Sequence, residues 1–204
     1  DGLSTRMETV SQMHLFDELM DSTVAADLVL YEHVPTWMKT IDISTYTHVR
    51  SLQVEGKTNN VQIVIPTSVT SLKMNTVGFT LPNLKDLPLH NLKLDCSDLS
   101  PTLFSNHQLV DVEIKSCTAH GTLVLPSSVR HFVINESDIQ VVLNEGLLSL
   151  EIASYNRASM LQLPKSLEEL STDSTMSILS LPNLRKLDVS KLPVNIELFP
   201  TTIE

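Results

Sequence analysis

The stretch LPSSVRHFVIN, residues 125–135, places a proline ahead of three apolar residues, Val129, Phe132 and Ile134. The second of these follows the first by three positions and the third by five. The same motif recurs in IPTSVTSLKM at 65–74, in LPKSLEELST at 163–172 and in LPNLRKLDV at 181–189. A motif that returns together with its proline indicates a chain built from one repeated unit.

The period of the motif is close to 20 residues. Its first apolar residue falls at 49, 69, 84, 109, 129, 147, 167 and 184, so successive starts lie 20, 15, 25, 20, 18, 20 and 17 residues apart. Starting the third unit at Leu89 instead of Leu84 restores 20 residues on both sides, and the sequence alone leaves both registers open. A fixed period of this length predicts a solenoid in which each repeat forms one coil.

Alternating apolar residues lead up to most of the prolines, as in VQIVIP at 61–66 and TLVLP at 122–126. Period-two alternation predicts an extended segment with one buried face, and a proline ends such a segment. Each coil is therefore predicted to contain two short strands and little or no helix. A β-sandwich also repeats its strands, but at about 8 to 12 residues, so a solenoid of about eight coils over residues 46–204 is favoured.

Residues 1–45 lack the motif and are predicted to form a helical or irregular N-terminal cap, because a solenoid needs its apolar ends covered. Thr5 and Glu8 fit a capping box that opens a helix, and TWMKTIDIS at 36–44 predicts a first extended stretch. At the other end, PTTI at 200–203 repeats the spacing that begins a coil. We therefore expect the array to continue beyond this sequence or to be truncated there.

The apolar spacing, written Leu-x-x-Leu-x-Leu, resembles the motif of the leucine-rich repeat family over residues 49–204. The short coil and the LP-x-S wording are similar to repeats of the Phe-Asn-Ile-Pro type, although the Phe-Asn pair itself is missing. The resemblance implies a mostly β leucine-rich-repeat solenoid without a convex helix. It also places Cys117 where such repeats bury an Asn, Thr or Cys beside the turn.

Composition narrows the class of partner. The formal charge of −10 opposes binding to nucleic acid or anionic lipid, because phosphates would approach against a repulsive field. No apolar run of about 18 residues is present for insertion into a membrane. A protein partner is therefore predicted. The two cysteines, Cys96 and Cys117, suit thiols in an intracellular compartment better than a bridge, although the sequon Asn135-Glu136-Ser137 leaves an extracellular location open.

No catalytic, metal or cofactor motif stands out from the repeats. The seven histidines and two cysteines show neither His-x-x-x-His nor Cys-x-x-Cys spacing, and five glycines are too few for phosphate-binding loops. Adjacent acids such as Glu168 and Glu169 point to opposite sides of a strand. We therefore expect no enzymatic activity, no cofactor, no metal and no small-molecule substrate.

In leucine-rich repeat proteins the concave strand surface is the usual contact face, and the resemblance implies the same face here. The residues between the apolar positions would form it. They are Arg50, Gln53, Glu55, Lys73, Asn75, Lys85, His90, Asp111, Glu113, Lys115, Arg130, His131, Val133, Asn135, Glu151, Ser171, Asp173, Arg185, Asp188 and Lys191. Their charges alternate in sign, which suits a specific protein surface better than a polyanion.

The favoured function is a non-catalytic protein-interaction scaffold that binds a protein partner through this concave strand surface. One alternative is an extracellular recognition module, such as a receptor ectodomain or an adhesin, which the sequon supports and the scarcity of cysteines opposes. A second alternative is the substrate-recognition part of an F-box-type adaptor, in which residues 1–45 would be the docking module.

Overall fold

The computed structural model describes residues 27–30, 39–80, 84–96, 99, 104, 108–155, 157–174 and 181–189. The described chain is mostly parallel β-structure with almost no helix, which confirms the predicted mostly β solenoid. It divides into two compact units, Asp1–Cys96 and Ser97–Glu204, and each unit is built from β-solenoid coils.

Among its described residues, unit 1 contains the strands β1 (Asp27–Leu30), β2 (Thr40–Asp42), β3 (Ser51–Val64), β4 (Ser71–Thr80) and β5 (Asn91–Cys96). The strands β1, β3, β4 and β5 lie side by side and parallel in that order. The strand β2 pairs with the second half of β3, with Thr40 opposite Gln62. A short 3-10 helix, Leu84–Asp86, precedes β5.

The register that the sequence left open is the one that begins at Leu89. Leu92 and Leu94 on β5 lie opposite Leu72 and Met74 on β4, and all four side chains are buried. Leu84 begins the 3-10 helix instead of a strand. The strands β3, β4 and β5 therefore start at residues 51, 71 and 91, one regular period apart.

Unit 2 is described by seven strands: β6 (Asp111–Lys115), β7 (Thr118–Val124), β8 (His131–Asn135), β9 (Asp138–Val142), β10 (Ser149–Ala153), β11 (Glu169–Thr172) and β12 (Lys186–Asp188). A first parallel sheet has the order β6-β8-β10-β11-β12, and a second sheet pairs β7 with β9. A 3-10 helix, Ala158–Met160, lies between β10 and β11.

The predicted pair of strands in a coil is confirmed where β6 and β7 alternate with β8 and β9. Between β10 and β11 it is not found, since the described residues 157–168 contain the 3-10 helix Ala158–Met160 and no strand. In unit 1 the long strand β3 covers both strand positions of its coil, and its register with β4 shifts between Lys57 and Val61. One turn of the solenoid leads from a strand to its in-register neighbour. Unit 1 makes two such turns, from β3 to β5, and unit 2 makes four, from β6 to β12. The described chain thus makes about six turns, fewer than the eight coils expected from the motif.

The core is a stack of aliphatic side chains supplied by alternate residues of each strand. Phe132 and Ile134 of β8 are 1% and 0% exposed, and Phe132 lies in register between Val112 of β6 and Leu150 of β10. Full burial of such a side chain contributes about 1.5–3 kcal/mol. Since part of that burial comes from the neighbouring coils, a coil depends on its neighbours for stability.

A repeated β-turn closes the coils ahead of their strands. The first apolar amide of the motif donates to the carbonyl three residues earlier, at 3.2 Å from Val69 to Pro66, 3.1 Å from Val129 to Pro126 and 3.2 Å from Leu167 to Pro164. Proline suits this place because it has no amide hydrogen to leave unpaired. In the coil that begins at Leu147, Asn144 occupies the position of this proline. Its Nδ2 donates to the Pro126 carbonyl of the preceding coil at 2.8 Å.

The strands β6, β8 and β10 end in equivalent corners. Ser116, Glu136 and Ser154 adopt positive φ angles of 48°, 48° and 51° there. In the β8 corner the Ser137 hydroxyl donates to the Asn135 carbonyl at 2.8 Å and accepts the Cys117 amide at 3.1 Å. The buried Cys117 thiol donates to the Lys115 carbonyl at 2.9 Å. The residue after each positive φ thus faces inward, and at Cys117 and Ser137 it also satisfies backbone groups of the corner.

Two arginines link the turns of successive coils. Arg130 Nη1 donates to the Ser127 carbonyl of its own turn at 3.1 Å and to the Gly146 carbonyl of the next coil at 2.8 Å. Arg50 Nη1 makes the equivalent pair of bonds, at 2.9 Å to the Thr47 carbonyl and 3.4 Å to the Ser68 carbonyl. These guanidinium groups, predicted to contact a partner, are engaged in holding the coils together.

Replacing Gly146 with alanine is expected to lower the free energy of unfolding by about 1–2 kcal/mol. A Cβ at this position would lie 2.1 Å from Arg130 Nη1 and would displace the guanidinium from the Gly146 carbonyl. Arg130→Ala should cost a similar amount, and the double variant little more than either, because both changes break the same bond. Urea unfolding measures all three. Glu145→Ala in the same exposed turn is the control, and strictly additive costs would contradict the shared mechanism.

The described part of the predicted N-terminal cap is β-structure. The strand β1 pairs with β3, with Leu28 opposite Leu52, so Asp27–Leu30 is a strand and not the expected helical or irregular segment. The strand β2 confirms the extended stretch predicted at 36–44 for Thr40–Asp42, and residues 36–38 lie outside the described part of the chain. The capping box at Thr5 and Glu8, and PTTI at 200–203, lie outside the described residues.

Candidate protein-binding surface

The outward side chains of the first sheet form rows across successive coils, because the parallel strands share one register. We call this surface the strand face. In unit 1 it consists of Ser51, Gln53, Glu55, Ser71, Lys73, Asn75, Asn91, Lys93 and Asp95. In unit 2 it consists of Asp111, Glu113, Lys115, His131, Val133, Asn135, Ser149, Glu151, Ala153, Glu169, Ser171, Lys186 and Asp188.

Most of the predicted contact residues lie on the strand face. They are Gln53, Glu55, Lys73, Asn75, Asp111, Glu113, Lys115, His131, Val133, Asn135, Glu151, Ser171 and Asp188. Arg50, His90, Arg130 and Arg185 stand one residue before a strand, Asp173 stands one residue after β11, and Lys191 lies outside the described residues.

The prediction that Lys85 lies among the strand residues is wrong. Lys85 is an exposed residue of the 3-10 helix that precedes β5. The outward positions of this coil belong to Asn91, Lys93 and Asp95, because the register begins at Leu89. Choosing the 20-residue register would have identified Lys93 and Asp95 from sequence.

The outward residue at the start of the strand was also missed in most strands, although Asp111 on β6 and His131 on β8 were predicted. The missed residues are Ser51, Ser71, Asn91, Ser149, Glu169 and Lys186. The signal was present, since period-two alternation counted back from the second apolar residue of the motif reaches these positions. At β3, β5 and β12 the prediction instead took the residue one place earlier, which belongs to the turn: Arg50, His90 and Arg185.

The strand face of unit 2 carries both signs of charge in close pairs. Lys115 Nζ lies 2.6 Å from Glu113 Oε1 along β6, and Lys186 Nζ lies 3.8 Å from Glu169 Oε2 across β11 and β12. His131 Nε2 lies 4.0 Å from Asp111 Oδ1. Such solvent-exposed pairs contribute about 0–1 kcal/mol each, so their side chains can exchange an internal partner for an external one at small cost.

Two of the predicted contact residues are engaged in the corners of the coils. Both carboxylate oxygens of Asp173 accept the amide of Ser154, at 3.0 and 2.9 Å, where Ser154 has its positive φ. Asn135 has a buried Oδ1, and its carbonyl accepts the Ser137 hydroxyl. These groups shape the backbone at the end of the strand.

The second sheet of unit 2 presents a different surface, which the sequence analysis did not identify. Val124 and Val142 lie in register on β7 and β9 and are 60% and 48% exposed. Met160, in the 3-10 helix of the following coil, is 77% exposed. The outward residues Thr122 and Gln140 beside them carry no charge. Asp138, at the start of β9, is the charged exception and pairs with Arg157 at 2.7 Å. The outward rows Thr122–Gln140 and Val124–Val142 are uncharged, in contrast to the charged strand face of unit 2.

Titratable groups with shifted pKa values lie away from the strand face. Burial raises the pKa of Tyr155, whose hydroxyl donates to the Ile139 carbonyl inside unit 2. Hydrogen bonds from the Ser44 side chain and amide lower the pKa of Asp42 at the exposed end of β2. Both groups stabilise local structure.

Within the described ranges, no three His, Cys, Asp or Glu side chains come together in a geometry that could hold a metal ion. None of the helical segments in this part of the chain has the length and apolar character needed to cross a lipid bilayer.

Comparison with known proteins gives no relative. A scan against protein-family models, a search of curated proteins and a search of solved structures each found no match to this chain. The strand face is therefore interpreted from the sequence and the structure of the chain itself.

Proposed function

We propose that this chain is a short-repeat, leucine-rich-repeat-type solenoid that acts as a non-catalytic, intracellular protein-interaction scaffold. Its partner is a protein that binds to the strand face. The observation that carries the proposal is the set of aligned polar rows, which the shared register of the strands fixes in space.

The rigid backbone beneath the strand face favours a binding role for its outward side chains over a role as ordinary solvated surface residues. Outward residues at the middle of a strand lie between two fully buried neighbours, as Val133 lies between Phe132 and Ile134 and Glu151 between Leu150 and Ile152. Rows held on such a ladder are preorganised, so a partner does not have to order them. The pairs on this face are also weak enough to open. Affinity would come from many modest contacts, since the strand face contains no Trp or Tyr anchor.

The leucine-rich-repeat assignment is supported by the corner that follows each strand. Cys117 and Ser137 occupy equivalent places, both are buried, and both donate to a carbonyl two residues earlier. This is the role that the family resemblance implies for the position. Identifying the chain with that family remains part of the proposal.

Glu151→Lys is expected to reduce capture of the partner about tenfold, because it reverses one exposed charge at the centre of the strand face in unit 2. Glu145→Lys is the matched control, since it makes the same charge change in an exposed turn outside the strand face. Quantitative affinity capture from an extract of the source cells, with circular dichroism to check the fold, measures the effect. Equal capture by both variants would place the binding site elsewhere.

The extracellular alternative has less support. Its main indication is the glycosylation sequon at Asn135. Ser137, the third residue of the sequon, is only 2% exposed, and its hydroxyl is already hydrogen-bonded within the corner. Cys117 remains a buried thiol. Intact-mass analysis of the native protein tests this alternative, because a glycan on Asn135 would favour the extracellular location.

The F-box-type alternative places its docking module in residues 1–45. In that segment the described residues form β1 and part of the β2 coil, and residues 1–26 lie outside the described part of the chain. The strands give this alternative no support.

A further inference from the structure

The large hydrophobic side chains that remain exposed in the described part of the chain all lie on one side of unit 2. They are Val124 on β7, Val142 on β9 and Met160 in the 3-10 helix that follows. With the outward residues Thr122 and Gln140, we call them the second-sheet face. A single exposed valine or methionine is ordinary in a folded protein, but exposed apolar side chains that share one face indicate a contact surface.

The second-sheet face extends over three successive coils that contact one another. Val124 and Val142 are direct partners in the parallel register of β7 and β9, and strands in a sheet are about 4.8 Å apart. The next coil, which carries the exposed methionine, packs against β9, because the Tyr155 hydroxyl donates to the Ile139 carbonyl. The apolar side chains therefore belong to one continuous part of the molecule.

The second-sheet face carries no net charge. None of its residues is ionisable, and the charged pair beside it is neutralised internally, since Arg157 Nε lies 2.7 Å from Asp138 Oδ1. The whole chain has a formal charge of −10, so two copies of it repel each other at long range. Contact between two copies therefore costs least electrostatic free energy at this face.

We propose that the second-sheet face pairs with the same face of a second copy of the chain, which gives a two-fold symmetric dimer. A two-fold axis sets the same residues on both sides of the contact, so valine and methionine side chains pack against one another and no ionised group is buried. A charged partner surface would instead lose its hydration without gaining a counter-charge. The chain itself supplies the uncharged, apolar surface that the contact requires.

The extent of the second-sheet face limits the strength of the dimer. Three coils span only about 10 Å across the strands. A contact of this width lies at the small end of specific interfaces, below about 1,200 Å² of total buried surface. We therefore expect a reversible dimer with a dissociation constant on the order of 100 μM.

The dimer would double the binding capacity of the chain. The strand face lies on the first sheet of unit 2, so its residues stay free when the second sheets pair. One dimer would then present two strand faces to a partner, and simultaneous engagement of both would strengthen binding. This inference goes beyond the proposed function, and its test requires no partner.

Sedimentation velocity of the full chain, from about 5 μM to about 500 μM, measures the dimer. We expect Val142→Lys to weaken it at least tenfold, because the two-fold axis brings two lysines into one apolar contact. Val133→Lys is the matched control, since it makes the same change at an outward valine of the strand face and alters the net charge equally. The control should change the dissociation constant less than twofold.

A second variant guards against an effect of Val142→Lys on folding, which circular dichroism would detect. Met160→Gln keeps the length and the charge of an exposed side chain and should weaken the dimer about threefold, since it replaces apolar contact area with an amide. Sodium chloride should leave the dimer intact or strengthen it, because salt screens the repulsion between the two copies.

Several results would overturn the inference. A chain that stays monomeric at every concentration has no such dimer, and equal weakening by Val142→Lys and Val133→Lys would place the contact elsewhere. Assemblies larger than a dimer would contradict the two-fold pairing, and dissociation by sodium chloride would show that ion pairs hold the copies together. If the chain is monomeric but Val142→Lys reduces capture of another protein, that protein occupies the face.

Failure of this inference is distinguishable from failure of the proposed function. Glu151→Lys tests the strand face through capture of the partner, whereas Val142→Lys tests the second-sheet face through the mass of the chain alone. If only the first variant has its expected effect, the scaffold function stands without the dimer.

Discussion

Replacing Phe132 with alanine is expected to lower the free energy of unfolding of unit 2 by about 3–5 kcal/mol. Phe132 is the largest fully buried side chain of the described core, and it lies between Val112 and Leu150 in the stack. Its removal would leave a cavity that touches three successive coils, and the backbone ladder on both sides prevents these coils from closing it.

Urea unfolding followed by circular dichroism measures this loss. Val133→Ala is the matched control, because Val133 is adjacent in β8 but points outward, and its cost should stay below about 1 kcal/mol. The loss in the free energy of unfolding for Phe132→Leu should lie between those for Phe132→Ala and Val133→Ala, because leucine retains most of the side-chain volume. A loss below 1 kcal/mol for Phe132→Ala would mean that the stack can collapse around the gap, contrary to a rigid ladder.

Deleting residues 131–148 is expected to leave a folded protein, whereas deleting residues 131–139 is expected to abolish cooperative folding of unit 2. The first deletion removes one complete period, and Ser149 then follows Arg130 in the register position that His131 occupied. The strand β10 can pair directly with β6 in place of β8. The second deletion removes half a period, including β8 and the corner at Glu136, so the remaining half-coil cannot bring β10 back into register with β6.

Far-UV circular dichroism and urea unfolding of the two deletion variants provide the measurement. The whole-period deletion should retain the β-sheet spectrum with a lower midpoint, because one interface between coils is lost. The half-period deletion should show no cooperative transition. Loss of structure in both variants would indicate a globular core in which every strand is required, and retention in both would indicate that register is unimportant.

Local spacing was sufficient to predict the strands of the first sheet of unit 2. The motif gave the starts of β8, β10 and β11, and the period-two alternation gave the buried positions, since both signals are read within a single coil. Between residues 84 and 109 two registers satisfied the same spacing equally well. The choice is made by pairing of β5 with β4, which is a contact between coils that local spacing does not encode.

The strand β1 shows a second limit. Asp27–Leu30 follows two alanines in an acidic segment without proline, a composition that gives little local preference for a strand. Pairing with β3 places Leu28 and Leu30 opposite Leu52 and Val54, and this non-local pairing determines the conformation.

The residues of the candidate surface were predictable where their outward direction follows from the alternation of side chains along a strand. Outward positions such as Gln53, Lys73 and Glu151 follow from alternation alone. The roles of Arg130 and Asp173 did not, because a long side chain can reach backbone groups of the next coil, and the sequence does not show which carbonyls or amides lie within reach.

The arginine links are not repeated in every coil, and this gives the molecule uneven mechanical stiffness. The positions equivalent to Arg50 and Arg130 in the following coils are Thr70 and Leu148, and neither side chain has a guanidinium to span two turns. In unit 2 a hydroxyl replaces the guanidinium, since Ser166 Oγ donates to the Leu147 carbonyl at 2.6 Å. Within unit 1, bending is therefore expected to open the joint after Thr70 before the joint that Arg50 spans.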